Sequence, residues 1–268
     1  MKQTLLKPLS VNDLITMKRR GEKISCLTAY DASFSSLIDQ AGIDIMLVGD
    51  SLGMTIQGHE TTLPVTLDDV IYHTRCVTQS RKRALVIADL PFMTYTNPQL
   101  AADNAAKLMQ TGGAQMIKLE GPKLDVINFL VQHGIPVCAH LGLLPQFINQ
   151  LGHYAVQGKE PEVAEKIIAD ALQVQAAGAS LLVLECIPSS LAKTISQQLT
   201  IPVIGIGAGI DCDGQVLVLY DMLNIGTNKK PRFTKNFLAE THSISEAISA
   251  YHRAVKEQLF PELEHIFL

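Results

Sequence analysis

Short apolar runs rich in valine, isoleucine and leucine alternate along this chain with amphipathic stretches that end in glycine. The runs ISCLTAY, IMLVGD, ALVIADL, AQMIKLEG, IPVCAH, SLLVLECI, PVIGIG and QVLVLYD predict eight strands. They are nearly continuous in their apolarity instead of alternating, which predicts strands covered on both faces, as in a parallel sheet. The helices between them carry start and stop signals. Asn97 followed by Pro98 predicts a cap and a first helical residue, and Gly112 is placed to take the left-handed closing position. Pro161 opens a second such segment, in which Ala164, Ile167, Ile168, Ala171 and Leu172 are expected on one face, and Gly178 closes it. Gly42 and Gly134 precede strands in the same way.

Eight helix, glycine, strand cassettes in one chain predict an α/β fold of the closed (β/α)8 TIM-barrel type. At 268 residues the chain is close to the roughly 250 of one such barrel, and no proline- or serine-rich linker divides it. The expectation is a single domain over residues 1–268. About the first twenty residues should form a helical lead-in, and the stretch from Phe233 a helical tail. In that tail Ser243 is placed to cap a helix with Ala247, Ile248 and Tyr251 on one face.

Composition narrows the partners. Acidic residues outnumber basic ones 26 to 22, a net charge of -4, so no broad basic surface awaits a nucleic acid. Five scattered cysteines without ligand spacing read as reduced thiols. The N-terminus lacks a continuous signal-peptide core, and no run approaches the length of a membrane span. These readings predict a soluble, cytoplasmic protein without membrane contact.

In a parallel barrel the site forms at the carboxyl ends of the strands, so the residues that terminate the apolar runs carry the chemistry. Here they are Asp50, Asp89, Glu120, His140 and Glu185. Four carboxylates at one mouth repel one another, and a hard, oxygen-ligated cation such as Mg²⁺ is the simplest compensation. Taken singly, any of these acids could instead cap a helix or pair with a base. Lys118 lies two residues before Glu120 and shares its face of the strand. Its ammonium could hold a substrate carboxylate or enolate oxygen, or form a structural pair with Glu120 or Asp89. His140 is either catalytic or a buried imidazole satisfied by the backbone. The glycines of IGIGAG, Gly205, Gly207 and Gly209, suit either a phosphate-binding loop or close packing. His59, His73 and His153 lie away from the strand ends and are assigned no chemical role.

The strings around these strand ends, TAYD, VGDSLGM, TTLPVTLDDVIYHT, ADLPFMTY, KLEG, HLGLLPQ, VQGK, LECIP, IGIGAG and DGQVLVLYD, together resemble the ketopantoate hydroxymethyltransferase family, from about Tyr30 to Phe233. The resemblance implies a (β/α)8 barrel that uses Mg²⁺ and, as co-substrate, 5,10-methylenetetrahydrofolate to hydroxymethylate 3-methyl-2-oxobutanoate in pantothenate biosynthesis. It further implies metal ligation by Asp50, Asp89 and Glu120, and oxo-acid contacts from Asp50, Ser51, Asp89 and Lys118. Glu185 matches the proton acceptor, and His140 falls at an active-site position. A homo-oligomer, commonly a decamer, is implied as well. The sequence departs from the family at Leu144, where threonine is common, and in IDCDGQ after IGIGAG. Three other readings remain open from sequence. They are a Mg²⁺-dependent 2-oxo-acid barrel of the phosphoenolpyruvate mutase or isocitrate lyase type, a phosphate-binding barrel, and a non-catalytic scaffold.

Overall fold

A computed structural model describes residues 7–226 and 230–268. Eight parallel strands follow one another around a closed barrel, β8 returning to pair with β1. They are β1 (Ile24–Thr28), β2 (Ile45–Val48), β3 (Leu85–Asp89), β4 (Met116–Glu120), β5 (Val137–Gly142), β6 (Leu181–Glu185), β7 (Val203–Ile206) and β8 (Gly214–Leu217). The barrel expected from the apolar rhythm is the barrel observed. The helices used below are α1 (Val11–Arg19), α2 (Ala32–Gln40), α3 (Leu52–Thr55), α4 (Leu67–Ser80), α5 (Pro98–Gln110), α6 (Leu124–Gln132), α7 (Ile148–Leu151), α8 (Pro161–Ala176), α9 (Ser189–Gln198), α10 (Leu219–Met222) and α11 (Ile244–Lys256).

The two faces of each strand feed two cores. On β4, Ile117 and Leu119 point outward into the layer shared with the helices, while Met116 joins Ile45, Leu85, Cys138, Leu181 and Ile204 inside the barrel. Period-2 alternation then requires Lys118 and Glu120 to point inward too. Leu14 and Met17 of α1 belong to the same interior cluster, so the lead-in helix plugs the barrel floor.

Local chemistry explains where the helices begin and end. The Asn97 side chain accepts a hydrogen bond from the Leu100 amide at 3.0 Å, and Pro98 opens α5. The left-handed residue after α5 is Gly113 at φ +82°, not Gly112 as expected. Gly112 has another role: a Cβ there would lie 3.1 Å from Thr74, so its bareness lets α5 approach α4. On α8 the buried face is Ile167, Ala171 and Val174, and Leu172 is exposed. At about 100° per residue, Val174 falls within roughly 20° of Ile167 and Leu172 about 140° away.

The tail holds one α-helix, α11, flanked by single 3₁₀ turns at Phe237–Glu240 and Leu263–His265. Ser243 caps it by accepting from the Glu246 amide, and Ala247, Ile248 and Tyr251 are buried. Its far end reaches the barrel base. There Asp44, fully buried, meets Lys256 at 2.7 Å and Arg83 at 2.8 Å, and Ser25 Oγ lies 2.8 Å from His252 Nδ1.

Candidate active site

The carboxyl ends of β2 to β6 bring Asp50, Asp89, Lys118, Glu120 and His140 into one buried cluster, with Glu185 at its edge. On β3 to β6 the inward parity of each strand places the side chain directly. Asp50 is different. β2 ends at Val48 with Ile45 and Leu47 pointing inward, so strand parity alone would turn residue 50 outward. A turn through Gly49 into α3 brings it back, and the Asp50 amide donates to Asp89 Oδ2 at 3.1 Å. A Cβ on Gly49 would lie 2.8 Å from Ser51 Oγ and 3.4 Å from Asp89 Oδ2, so a larger residue there would push on the Ser51 hydroxyl.

Asp89 is held from two sides, since its Oδ1 accepts from Lys118 Nζ at 2.9 Å. Burial opposes the charge on that ammonium, but Asp89, Glu120 and Asp50 outweigh it and raise the lysine's proton affinity. Asp50 shows the opposite strain. Burial, followed by the charges of Asp89 and Glu120, pushes its carboxyl well above the usual range, against smaller pulls from Lys118 and Gln146.

His140 joins the two halves of the site. Nδ1 lies 3.6 Å from Glu120 Oε1 and Nε2 lies 3.3 Å from Glu185 Oε2. Neither nitrogen has an aligned hydrogen-bond partner, so these are ion-pair contacts and not well-formed hydrogen bonds. Burial pulls the imidazole down, yet the two carboxylates more than offset it and hold its pKa up to about 9. No backbone carbonyl satisfies the ring, which removes the simple structural reading of this histidine. Ser51 Oγ pairs with Tyr30 Oη at 2.8 Å, and burial pushes that phenol up to about 12.

Two residues not singled out from sequence belong to the cluster. Gln146, in the 3₁₀ turn Pro145–Phe147 after β5, donates from Nε2 to Asp50 Oδ2 at 2.8 Å and from its amide to Glu120 Oε2 at 3.0 Å. Tyr95 donates to Gln146 Oε1. Both lie inside strings that carry the family resemblance, but no spacing rule connects them across 51 positions.

Among the described residues, no three histidine, cysteine or acidic side chains converge into a ready-made metal cage. The donor set nevertheless fits a hard divalent cation. It consists of carboxylate oxygens, and the raised proton affinity of Asp50 beside Asp89 and Glu120 marks a crowding of acids that a cation would relieve. An ion such as Mg²⁺, which uses one or two carboxylates and completes its shell with water or substrate oxygens, requires no protein cage.

The IGIGAG loop is occupied by protein. A Cβ on Gly207 (φ +61°) would come within 3.0 Å of Phe233 and Phe267, and one on Gly209 within 2.6 Å of Ser189. The glycines admit these side chains, which supports the packing reading of the loop.

A sequence profile described as ketopantoate hydroxymethyltransferase matches residues 8–263. A 3-methyl-2-oxobutanoate hydroxymethyltransferase of Marinobacter nauticus is 55% identical over 261 residues, 97% of this chain and 98% of the relative. Another, of Methylococcus capsulatus, is 56% identical over 262 residues and 97% of each chain. The crystal structure of a 2,3-dimethylmalate lyase, a member of the phosphoenolpyruvate mutase/isocitrate lyase superfamily, superposes with a TM-score of 0.53 at 17% identity, covering 72% of this chain and 70% of its own. That last likeness concerns the barrel alone. The profile match and the two full-length identities show that this chain is an enzyme of the ketopantoate hydroxymethyltransferase family.

Proposed function

We propose that the chain transfers a hydroxymethyl group from 5,10-methylenetetrahydrofolate to 3-methyl-2-oxobutanoate, giving 2-dehydropantoate for pantothenate and coenzyme A synthesis. The names of its relatives, 3-methyl-2-oxobutanoate hydroxymethyltransferases, support the acceptor and the transferred group. The observation that carries the chemistry is the buried Asp50, Asp89, Lys118 and Glu120 cluster, linked through His140 to Glu185. In this reading Asp50, Asp89 and Glu120 hold Mg²⁺, which when bound supplies Lewis acidity to the substrate's keto group.

The chain's own residues do the rest. Lys118 and Ser51 hold the oxo acid's oxygens, and the ammonium meets negative charge that develops there. Glu185, the least buried of the four acids, accepts the C3 proton, leaving its electron pair in the substrate enolate. His140 holds the Glu185 carboxylate turned toward the cluster. Both C–N bonds to the folate's methylene carbon break as that carbon bonds to C3 of the enolate and to oxygen from water; of the C3 proton and the two water hydrogens, one ends on the new hydroxyl and two on the folate nitrogens.

We also place the enzyme in the cytoplasm as a homo-oligomer, a decamer in the family's common form. Leu259, Leu263 and Leu268 on the tail support an assembled state, because each exposes most of its apolar surface. No helix among the described residues is long and apolar enough to cross a membrane.

Proton exchange at C3 of 3-methyl-2-oxobutanoate in D₂O, followed by proton NMR, tests the base without the folate. Glu185→Gln should abolish exchange and leave Mn²⁺ binding nearly unchanged. Exchange at the wild-type rate would remove Glu185 from this role.

A further inference from the structure

Three residues were named above as holders of a cation, and each needs its carboxylate aimed before the ion arrives. Asp89 is aimed by Lys118. The other two are aimed by a single neutral residue. Gln146 is 4% exposed, and every polar atom of its side chain is used. Nε2 donates both hydrogens, to Asp50 Oδ2 at 2.8 Å and to the Leu90 carbonyl at 3.0 Å, while Oε1 accepts from Tyr95. Its backbone amide donates to Glu120 Oε2 at 3.0 Å.

The surroundings allow the amide only one orientation. Turned over, its oxygen would face the Asp50 carboxylate and the Leu90 carbonyl, two acceptors with no donor between them, and the Tyr95 hydroxyl hydrogen would lose its acceptor. Tyr95 Oη in turn lies 3.4 Å from the Glu120 amide, which can donate to it. Gln146, Tyr95 and Glu120 therefore form a closed ring drawn from the ends of β3, β4 and β5, and Asp50 after β2 is joined to it through Gln146.

A residue that merely anchored the turn after β5 would need only the bond to Leu90. We propose that Gln146 is a positioning residue of the cation site: it holds the Asp50 carboxylate in its ligating orientation, and Tyr95 locks the Gln146 amide so that it can. A neutral amide suits this place, because it gives a hydrogen to the carboxylate without competing as a cation for the space the ion takes. Outer partners of this kind alter metal affinity by about tenfold or more when removed. The inference rests on the metal reading of the proposed function.

The test is Mn²⁺ titration of the purified full chain, with free Mn²⁺ read by electron paramagnetic resonance and folding checked by thermal unfolding. Gln146→Leu removes the side-chain donors but keeps the backbone amide on Glu120. It should weaken Mn²⁺ by about tenfold. Tyr95→Phe should weaken it in the same direction by about two- to threefold, and the double variant should bind within about twofold of Gln146→Leu, since Tyr95 then has no amide to lock. Should Gln146→Leu not fold, Gln146→Asn carries the same expectation, its amide being one methylene too short to reach Asp50. Folded variants that bind Mn²⁺ like the wild type, or single losses that simply multiply in the double variant, overturn the positioning role and leave the metal reading intact. A wild-type chain that takes up no Mn²⁺ overturns both.

Discussion

Lys118 Nζ lies 2.9 Å from Asp89 Oδ1 inside the barrel mouth, with both side chains sealed from solvent. This pair is the pivot of the site's charge balance, because the same ammonium also feels Glu120 and Asp50. Removing one partner of a buried pair leaves an uncompensated charge and costs about 3–5 kcal/mol. Lys118→Met should therefore unfold at lower urea concentration than the wild type. Added Mg²⁺ should recover more stability in the variant than in the wild type, since it replaces the lost positive charge. Equal Mg²⁺ effects in both would contradict a shared cluster.

Asp89 touches both the lysine and the Asp50 backbone, so its loss disturbs the cation site from two directions. Asp89→Asn should weaken Mg²⁺ binding by about tenfold or more in calorimetry. An unchanged isotherm would take Asp89 off the ligand set.

At Gly207 a methyl group meets Phe233 and Phe267 at 3.0 Å, in a backbone conformation disfavoured for alanine. The left-handed φ costs roughly 1–2 kcal/mol and the crowding of order 1–3 kcal/mol more. Gly207→Ala should lower the unfolding temperature accordingly. Inorganic phosphate should leave the wild-type unfolding temperature unmoved; a phosphate-dependent rise would restore the anion-loop reading.

At the opposite end of the barrel, His252 carries a pH dependence independent of catalysis. Burial holds its pKa below the ordinary value; Asp44 opposes this, and Lys256 and Arg83 reinforce it. With a depressed folded pKa, the unfolded chain takes up the proton first. The stability is present above about pH 6.5, the unfolded value, and is lost as pH falls from there through the lower folded pKa. Thermal unfolding measured from about pH 7.5 down to about pH 5.5 should show a decline in the wild type. His252→Gln, which keeps a partner for Ser25, should flatten that decline. Parallel curves would assign the loss to other groups.

The amino-acid sequence by itself determined the barrel and most of its mouth. Its eight apolar runs admit only strands covered on both faces, and where a strand runs up to its last residue, period-2 alternation settles that residue's direction. Asp89, Lys118, Glu120 and Glu185 were legible for that reason. Helix faces were less secure, as Leu172 and Val174 show, because one misplaced residue on a 100° cycle changes the buried stripe.

Tertiary structure alone decided the rest. The return of Asp50 into the mouth depends on a glycine turn pressed against Asp89, and the aim of its carboxylate depends on Gln146, 96 positions away in the chain. The glycines of IGIGAG have one local appearance for two roles, and only the arrival of Phe233 and Phe267 from the tail distinguishes them. His140 is likewise set by the two carboxylates on either side, which come from different strands. Local pattern encodes which face a side chain takes; hydrogen-bond partners and filled space are properties of distant segments brought together, and no spacing along the chain records them.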